Sequence, residues 1–392
     1  LATNKSAVTV DSGKTLTTNT QVALAAVNGT TTAGSGSTAE NKGTIVSNRE
    51  NKGIGIYAKE TGSKAINDGT ITMNGKEAAG MYGEDITRFE NKAGKSIEVK
   101  KEKSVGMYAK VTGNNTLTVK NDGKITTNEQ KSVGLYLNNA TTPPTVSANP
   151  AAAKLTASNN EIEIKGGTES IGIYAPASTV SKVGKITMAN TATKSIAVYL
   201  SKGAQATTAT TDEIDLGKSG KNIAYYVKNA GTSIGGANVG TVKGYGVGVY
   251  LEGTKANPTA TPAVPASQAT LGANAPELKF NNGTTDGNGI VGLYLKGDTD
   301  ISAYTKTITV GNTVGTNSAI GIYSDAQGVS GTPYVIKANI KTGTKAVGIF
   351  SAPGTDKSYI KYLGSQMNLG EGSTGFYVNG KTELDTTITT TP

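Results

Sequence analysis

Nearly the same eight residues recur along this chain. KSVGMYAK occupies 103–110 and KSVGLYLN occupies 131–138, with looser copies in NKGIGIYAK from Asn51, ESIGIYAP from Glu169 and KSIAVYLS from Lys194. The common phrase is [I/V/A]-G-[aliphatic]-Y. Its aromatic falls at Tyr57, Tyr82, Tyr108, Tyr136, Tyr174, Tyr199, Tyr226, Tyr250, Tyr294, Tyr323, Phe350 and Tyr377. The steps between them are 25, 26, 28, 38, 25, 27, 24, 44, 29, 27 and 27 residues, so nine of eleven lie between 24 and 29. A fixed period of this kind constrains the fold more than any other feature, because each repeat is a unit that buries its apolar face only by stacking on its neighbours.

A second phrase, N-x-G-x-I, lies between the aromatics: NDGTITM from Asn67, NDGKITT from Asn121 and NKGTIVS from Asn41, with looser copies in EIEIKG, VGKITM and KTITVG. A third, weaker packet sometimes precedes it, as in TLTVKN from Thr116. Each repeat therefore carries two clear strands and a third weaker one, with Gly and Asn at the corners. The Leu/Asn framework of leucine-rich repeats is absent, and the period is too short for propeller blades of about 40 residues and too long for hexapeptide rungs of about 18. The expectation is an all-β, three-sided parallel β-helix of about 13 rungs with a repeat of about 27 residues. Parallel crossovers are overwhelmingly right-handed, and that hand is expected here.

Strict alternation along ESIGIYAP puts Ile171, Ile173 and Ala175 on one face and Gly172, Tyr174 and Pro176 on the other. The first set is almost wholly aliphatic across the copies, with Tyr225 the clearest departure, and is assigned inward. The second set continues into Lys59, Glu84, Lys110, Asn138, Lys228, Glu252, Lys296 or Asp325 two residues after the aromatic, so the tyrosine column is assigned outward. Gly precedes the aromatic by two positions in ten of twelve copies, with Ala197 and Ala224 in the others, and is expected to leave room outside for neighbouring rings. Tyr57, Tyr82, Tyr199, Tyr226, Tyr250, Tyr294, Tyr323, Phe350 and Tyr377 then form a structural ladder. Tyr108, Tyr136 and Tyr174 are candidate contacts for sugar rings or partner loops.

The two long steps carry insertions, expected at 139–158 and 253–276, which hold most of the chain's proline. Proline cannot sit inside a central strand, so both are read as loops thrown out from corners, with Pro143, Pro144, Pro258 and Pro262 as candidate contacts. Residues 1–40 read as an irregular N-terminal turn and a flexible Ser/Gly loop, and 41–392 as one continuous helix.

The chain contains no Cys and no His, which removes disulfides, thiolate metal sites, Ser-His-Asp triads and the commonest general base. Carboxylates remain at Asp212, Glu213 and Asp215, at Asp298 and Asp300, and at Glu84 and Asp85. They could bind calcium or act as acid/base pairs, yet each cluster occurs once, near a corner, and reads as solvated charge. The expectation is no enzyme, no cofactor and no metal. The net charge of +9 comes from dispersed Lys with only Arg49 and Arg88, which argues against nucleic-acid binding. No apolar run is long enough to span a membrane, and the opening LATNKSAVTV does not read as a signal peptide.

The paired phrases N-x-G-x-I and [I/V]-G-[aliphatic]-Y, recurring from about Asn41 to Leu384, resemble the passenger regions of large fusobacterial type V autotransporter adhesins. The resemblance implies an exported monomeric fragment at the outer membrane and cell surface, or released from it. Membrane attachment would come only through a C-terminal barrel that this chain does not contain. It also implies virulence-related attachment to a host receptor protein or glycan, or coaggregation with other bacteria. A structural stalk presenting a distal tip is the alternative reading, and a β-helical polysaccharide-degrading enzyme is a third.

Overall fold

A computed structural model describes residues 1–3, 5–28, 36–140, 154–256, 259, 266–280, 287–325, 328, 331–352 and 358–384. Among them there are strands and turns but no α-helix. The chain is a parallel β-solenoid of about 12 turns with a repeat of about 27 residues. It falls into two compact units, Leu1–Tyr199 and Leu200–Pro392.

In the first unit each coil contributes three strands. The tyrosine face stacks Val22–Val27, Ile54–Lys59, Ala79–Glu84, Val105–Val111, Val133–Asn139 and Ile171–Pro176 in parallel. The second face stacks Ala7–Val10, Thr38–Asn41, Lys64–Asn67 and Arg88–Asn91. The third stacks Thr15–Thr18, Thr44–Ser47, Thr70–Met73 and Ser96–Val99. The second and third faces run together in the longer strands Leu117–Thr127 and Leu155–Ile164, whose pairing shifts register at the corner after Asn121. The expected irregular N-terminal turn joins the pairing, Ala7–Val10 lying on Thr38–Asn41 and Val22–Val27 on Ile54–Lys59, while residues 29–35 of the expected Ser/Gly loop lie outside the described residues.

The interior is built from columns. Ile45, Ile71, Ile97, Ile125, Ile162 and Ile186, the isoleucines of the N-x-G-x-I phrase and its looser copies, are all 0% exposed. Its asparagine is buried too. Asn41, Asn67, Asn91, Asn121 and Asn159 form a ladder in which each Nδ2 donates to the next Oδ1 at 2.7–2.8 Å. The ladder starts at Asn41 because Val10 holds the preceding register position, and it ends where Asn159 Nδ2 donates to the Val183 carbonyl at 2.7 Å.

A second polar column explains the KS and ES that open the repeated phrase. Glu77, Lys103, Lys131, Glu169 and Lys194 all turn the corner with φ between 51° and 60°, left-handed backbone rarely adopted by non-Gly residues. A buried serine follows at each of the last four corners. Ser104, Ser132, Ser170 and Ser195 accept N–H bonds of 3.1–3.3 Å from the coil before.

The glycine of the repeated phrase points inward, contrary to the alternation expected from sequence. A Cβ on Gly106 would lie 2.3 Å from Ile125 Cγ2 and 2.6 Å from the Gly134 carbonyl oxygen; one on Gly80 would lie 2.3 Å from Ile97 Cγ2. The same crowding recurs at Gly55, Gly134 and Gly172, and in the second unit at Gly292 and Gly321. The pleat breaks at this residue. In each register the glycines drop out, Ala79↔Val105 being followed by Met81↔Met107. The glycine and the aliphatic after it are both buried, whereas the aliphatic before it turns half outward. Ile171, assigned inward from sequence, is therefore half-exposed, while Ile173 and Ala175 are buried as expected.

The second unit repeats the tyrosine face in Asn222–Lys228, Gly246–Glu252, Ile290–Lys296, Ile320–Ser324, Val347–Ser351 and Thr374–Tyr377. Its other strands are shorter, and large rings fill its core: Tyr225, Phe280, Tyr304 and Tyr362 are fully buried. The tyrosine hydroxyls reach corner backbone, Tyr225 donating to the Val239 carbonyl at 3.1 Å and Tyr304 to that of Pro276 at 3.0 Å.

Both expected insertions are narrower than the spacing suggested. Asn139 pairs with Val111, and Leu155–Ser158 pair with Leu117–Lys120, because LTAS alternates as LTVK does. The other insertion has a neck in which Thr254 and Ser267 exchange two backbone bonds of 2.9 Å, followed by a strand at Ala269–Thr270. Pro143, Pro144, Pro258 and Pro262 lie outside the described residues.

Candidate functional site

The outer surface of the tyrosine face carries three parallel columns in each unit. The middle one is aromatic. In the first unit Tyr57, Tyr82, Tyr108, Tyr136, Tyr174 and Tyr199 stack with centroids 4.7–5.3 Å apart. In the second, Tyr226, Tyr250, Tyr294, Tyr323, Phe350 and Tyr377 stack at 4.6–5.1 Å. These spacings follow from strand separation, since each ring stands on the paired residue of the next coil. All interplanar angles are below 20° except that of Tyr136 and Tyr174, at 37°. The rings are half-buried or exposed, and none lies inside the coil.

One side of the ring column is charged and polar. Glu84 sits between Lys59 at 4.0 Å and Lys110 at 3.1 Å, and Glu252 between Lys228 at 3.8 Å and Lys296 at 3.7 Å. Tyr82 Oη donates to Glu84 at 2.9 Å, and Asn138 Nδ2 donates to Tyr108 Oη at 2.6 Å. Burial works against the Glu84 carboxylate, but Lys110, Tyr82 and Lys59 together hold its pKa below the usual range. Burial, then the Glu84 hydrogen bond, pushes the Tyr82 phenol up. Burial followed by Asp325 pushes Tyr250 up to about 12.

The other side of the column is apolar. Ile54, Ala79, Val105, Val133, Ile171 and Ile196 are half-exposed in the first unit, as are Ile223, Val247, Val291 and Val347 in the second. Hydropathy could not reveal this column, because its residues are chemically the same as the core aliphatics two places on. The signal was the glycine between them, whose lack of a side chain lets two successive positions turn inward.

The arrangement limits what the strip can do. Every internal ring has both faces covered by neighbours, so a sugar cannot lie flat on Tyr108 or Tyr136. What solvent meets is a ridge of ring edges and hydroxyls with an aliphatic shoulder. Such a surface suits contact with another extended surface by many small apolar and hydrogen-bonding contacts.

The carboxylate clusters are occupied by local bonds. Asp212 is buried and accepts the Ala209 N–H at 2.8 Å, Asp215 accepts that of Gly217 at 2.9 Å, and Glu213 pairs with Lys243 at 3.2 Å. Asp298 accepts from Gln268 Nε2 at 3.1 Å and Asp300 from the Ser302 N–H at 2.8 Å. Asp85 accepts the Thr112 N–H at 2.7 Å. Among the described residues no three acidic side chains converge on a point that could hold a metal ion. No family model, curated protein or solved structure matches the chain.

Proposed function

We propose that this chain is a segment of an exported bacterial surface adhesin, and that the tyrosine face is its contact surface. The observation that supports this reading is the pair of adjacent columns, aliphatic and aromatic, left in contact with water on one face. Contiguous apolar surface on a soluble protein marks an interaction site more often than not. The partner is a receptor protein or glycan on a host cell, or the surface of another bacterium.

A stalk that holds a distal tip away from the cell is the second reading. The self-contained Asn, Ser and Tyr columns favour it, since each coil satisfies its polar groups on the next without a partner. One experiment separates the two. Cells displaying the chain, or beads coated with it, are compared with a variant carrying V105S, V133S and I171S. These substitutions remove the aliphatic shoulder but leave the rings and core in place. Loss of attachment with unchanged circular dichroism supports adhesion through this face. Full attachment by the variant refutes it, and absence of attachment by the parent chain favours the stalk.

A further inference from the structure

The aromatic ladder of the first unit stops at Tyr57, and the fold continues past it. Val22–Val27 is a complete strand of the tyrosine face, paired in register with Ile54–Lys59, but Ala25 stands opposite Tyr57. Tyr57 stacks on Tyr82 at 5.3 Å with one face, and its other face looks over the Ala25 methyl. Beside Ala25 on the same outer surface are Val22 and Val27, both half-exposed, and Val27 is paired with Lys59. A ring position in the ladder is thus occupied by a single methyl group.

We propose that this step is a binding site for one aromatic side chain of a protein partner, which inserts above Ala25 and stacks on Tyr57. Three features of the site select that ligand. Its depth is one strand spacing, the separation at which the rings of this ladder already stack. Its floor and flank are Ala25, Val22 and Val27, which offer no side-chain hydrogen bond, so an apolar ring is buried there without polar cost, and the hydrogen-bonding groups, Lys59 and Thr3 as the register partners of Val27, lie only at its rim. Lys59 lies at its edge, held to Glu84 only at 4.0 Å, with its ammonium group free to swing over the face of an incoming ring. The site deepens the adhesion reading by naming a partner chemistry at one place on the tyrosine face. It rests on that reading only for its biological role.

The test uses p-cresol, the side chain of tyrosine, titrated into the full chain with alanine methyl groups isotopically labelled. The expected result is a saturable upfield ring-current shift of the Ala25 methyl, with the methyls of Ala79 and Ala109 unmoved. A25Y places a ring of the chain's own in the step. It should raise the melting temperature and lower the affinity for p-cresol by at least about tenfold. Y57A should abolish the Ala25 shift, and K59M should weaken it about twofold. Three outcomes overturn the proposal: shifts of equal size all along the ladder, undiminished binding by A25Y, or an Ala25 shift with methyl β-galactoside but not with p-cresol. These results are independent of attachment to cells. Binding of p-cresol without cell attachment would sink the adhesion reading alone, and attachment without p-cresol binding would sink this one alone.

Discussion

Replacing Asn91 by alanine should damage the fold more than the same change at Asn41, although both residues are 0% exposed. Asn91 is inside the ladder. Its Oδ1 accepts from Asn67 Nδ2 and its Nδ2 donates to Asn121 Oδ1, both at 2.8 Å. Removing the amide leaves one buried oxygen, on Asn121, without a partner, and Asn67 Nδ2 loses one of its bonds but keeps the carbonyls of Gly69 at 3.1 Å and Ser96 at 3.3 Å. At about 1–3 kcal/mol for the orphaned oxygen and about 0.5–1.5 kcal/mol for the bond that Asn67 loses, N91A should cost about 1.5–4.5 kcal/mol. Asn41 is the first rung, and its Oδ1 is already buried without a partner. N41A orphans Asn67 Oδ1 but removes an existing orphan, so the net loss should stay under about 1.5 kcal/mol. Coils contact only their neighbours, so unfolding need not be two-state, and a single denaturation midpoint would mislead. The appropriate measurement is hydrogen exchange read peptide by peptide. N91A should speed exchange over Arg88–Asn91 and Leu117–Thr127 by about tenfold or more. Equal effects of N41A and N91A, or a silent N91A, would refute the view that the ladder is a chain of mutually dependent bonds.

Other expectations can be checked on the same protein. G106A should destabilise by about 1–3 kcal/mol in denaturant titration, because the methyl meets Ile125 Cγ2 and the Gly134 carbonyl, whereas V105T on the outer surface should stay within about 0.5 kcal/mol. I173D puts a charge at a 0% exposed position and should unfold neighbouring coils, visible as lost circular dichroism or protease resistance. Replacing Tyr108, Tyr136 and Tyr174 by Ser should cost about 0.5–1.5 kcal/mol for each stacked pair lost, leaving the β-sheet circular dichroism unchanged. The phenol pKa values of Tyr57, Tyr82, Tyr136, Tyr250 and Tyr294 are raised chiefly by burial, so their contribution to stability is complete below the ordinary value of 10.0. It should be lost as pH rises from 10.0 through the folded values, about 12 for Tyr250, and ultraviolet titration of the phenolates should track the loss of structure.

The repeat was legible because the coil imposes it. A residue that must stand on its counterpart one turn earlier has to recur at the length of the turn, and Tyr57 through Tyr377 recur in that way. The outward placement of the rings was legible from Lys59, Glu84 and Lys110, since charge follows water. The orientation of the glycine was not. Alternation predicts the face of a residue only while the pleat is unbroken, and Gly55 breaks it. The clue lay in a different phrase, in Ile71, which fills the volume that a side chain on Gly55 would need. No single strand contains that relation. The asparagine ladder was hidden for a similar reason. Asn in N-x-G-x-I reads as a corner residue, and it is one, but only stacking of several corners turns a turn-former into a continuous buried hydrogen-bond chain.

The two repeated phrases are therefore two sides of one contact, and this bears on which residues the fold requires. Glycine facing isoleucine across the coil, asparagine on asparagine and serine under the next amide are all interior and are consequences of closing a turn. The tyrosine column is not among them. Val22–Val27 pairs in register with alanine in the ring position, so a coil closes without its aromatic. Only stacking between coils, or contact with something outside, can account for a ring in every later turn. Stacking accounts for uniform rings but not for the half-exposed aliphatic column beside them. A polar β-branched residue such as threonine would fit that column as well in an ordinary exposed strand. The aliphatic shoulder, rather than the more conspicuous tyrosines, is the part of this surface that stability explains least and that an external partner explains best.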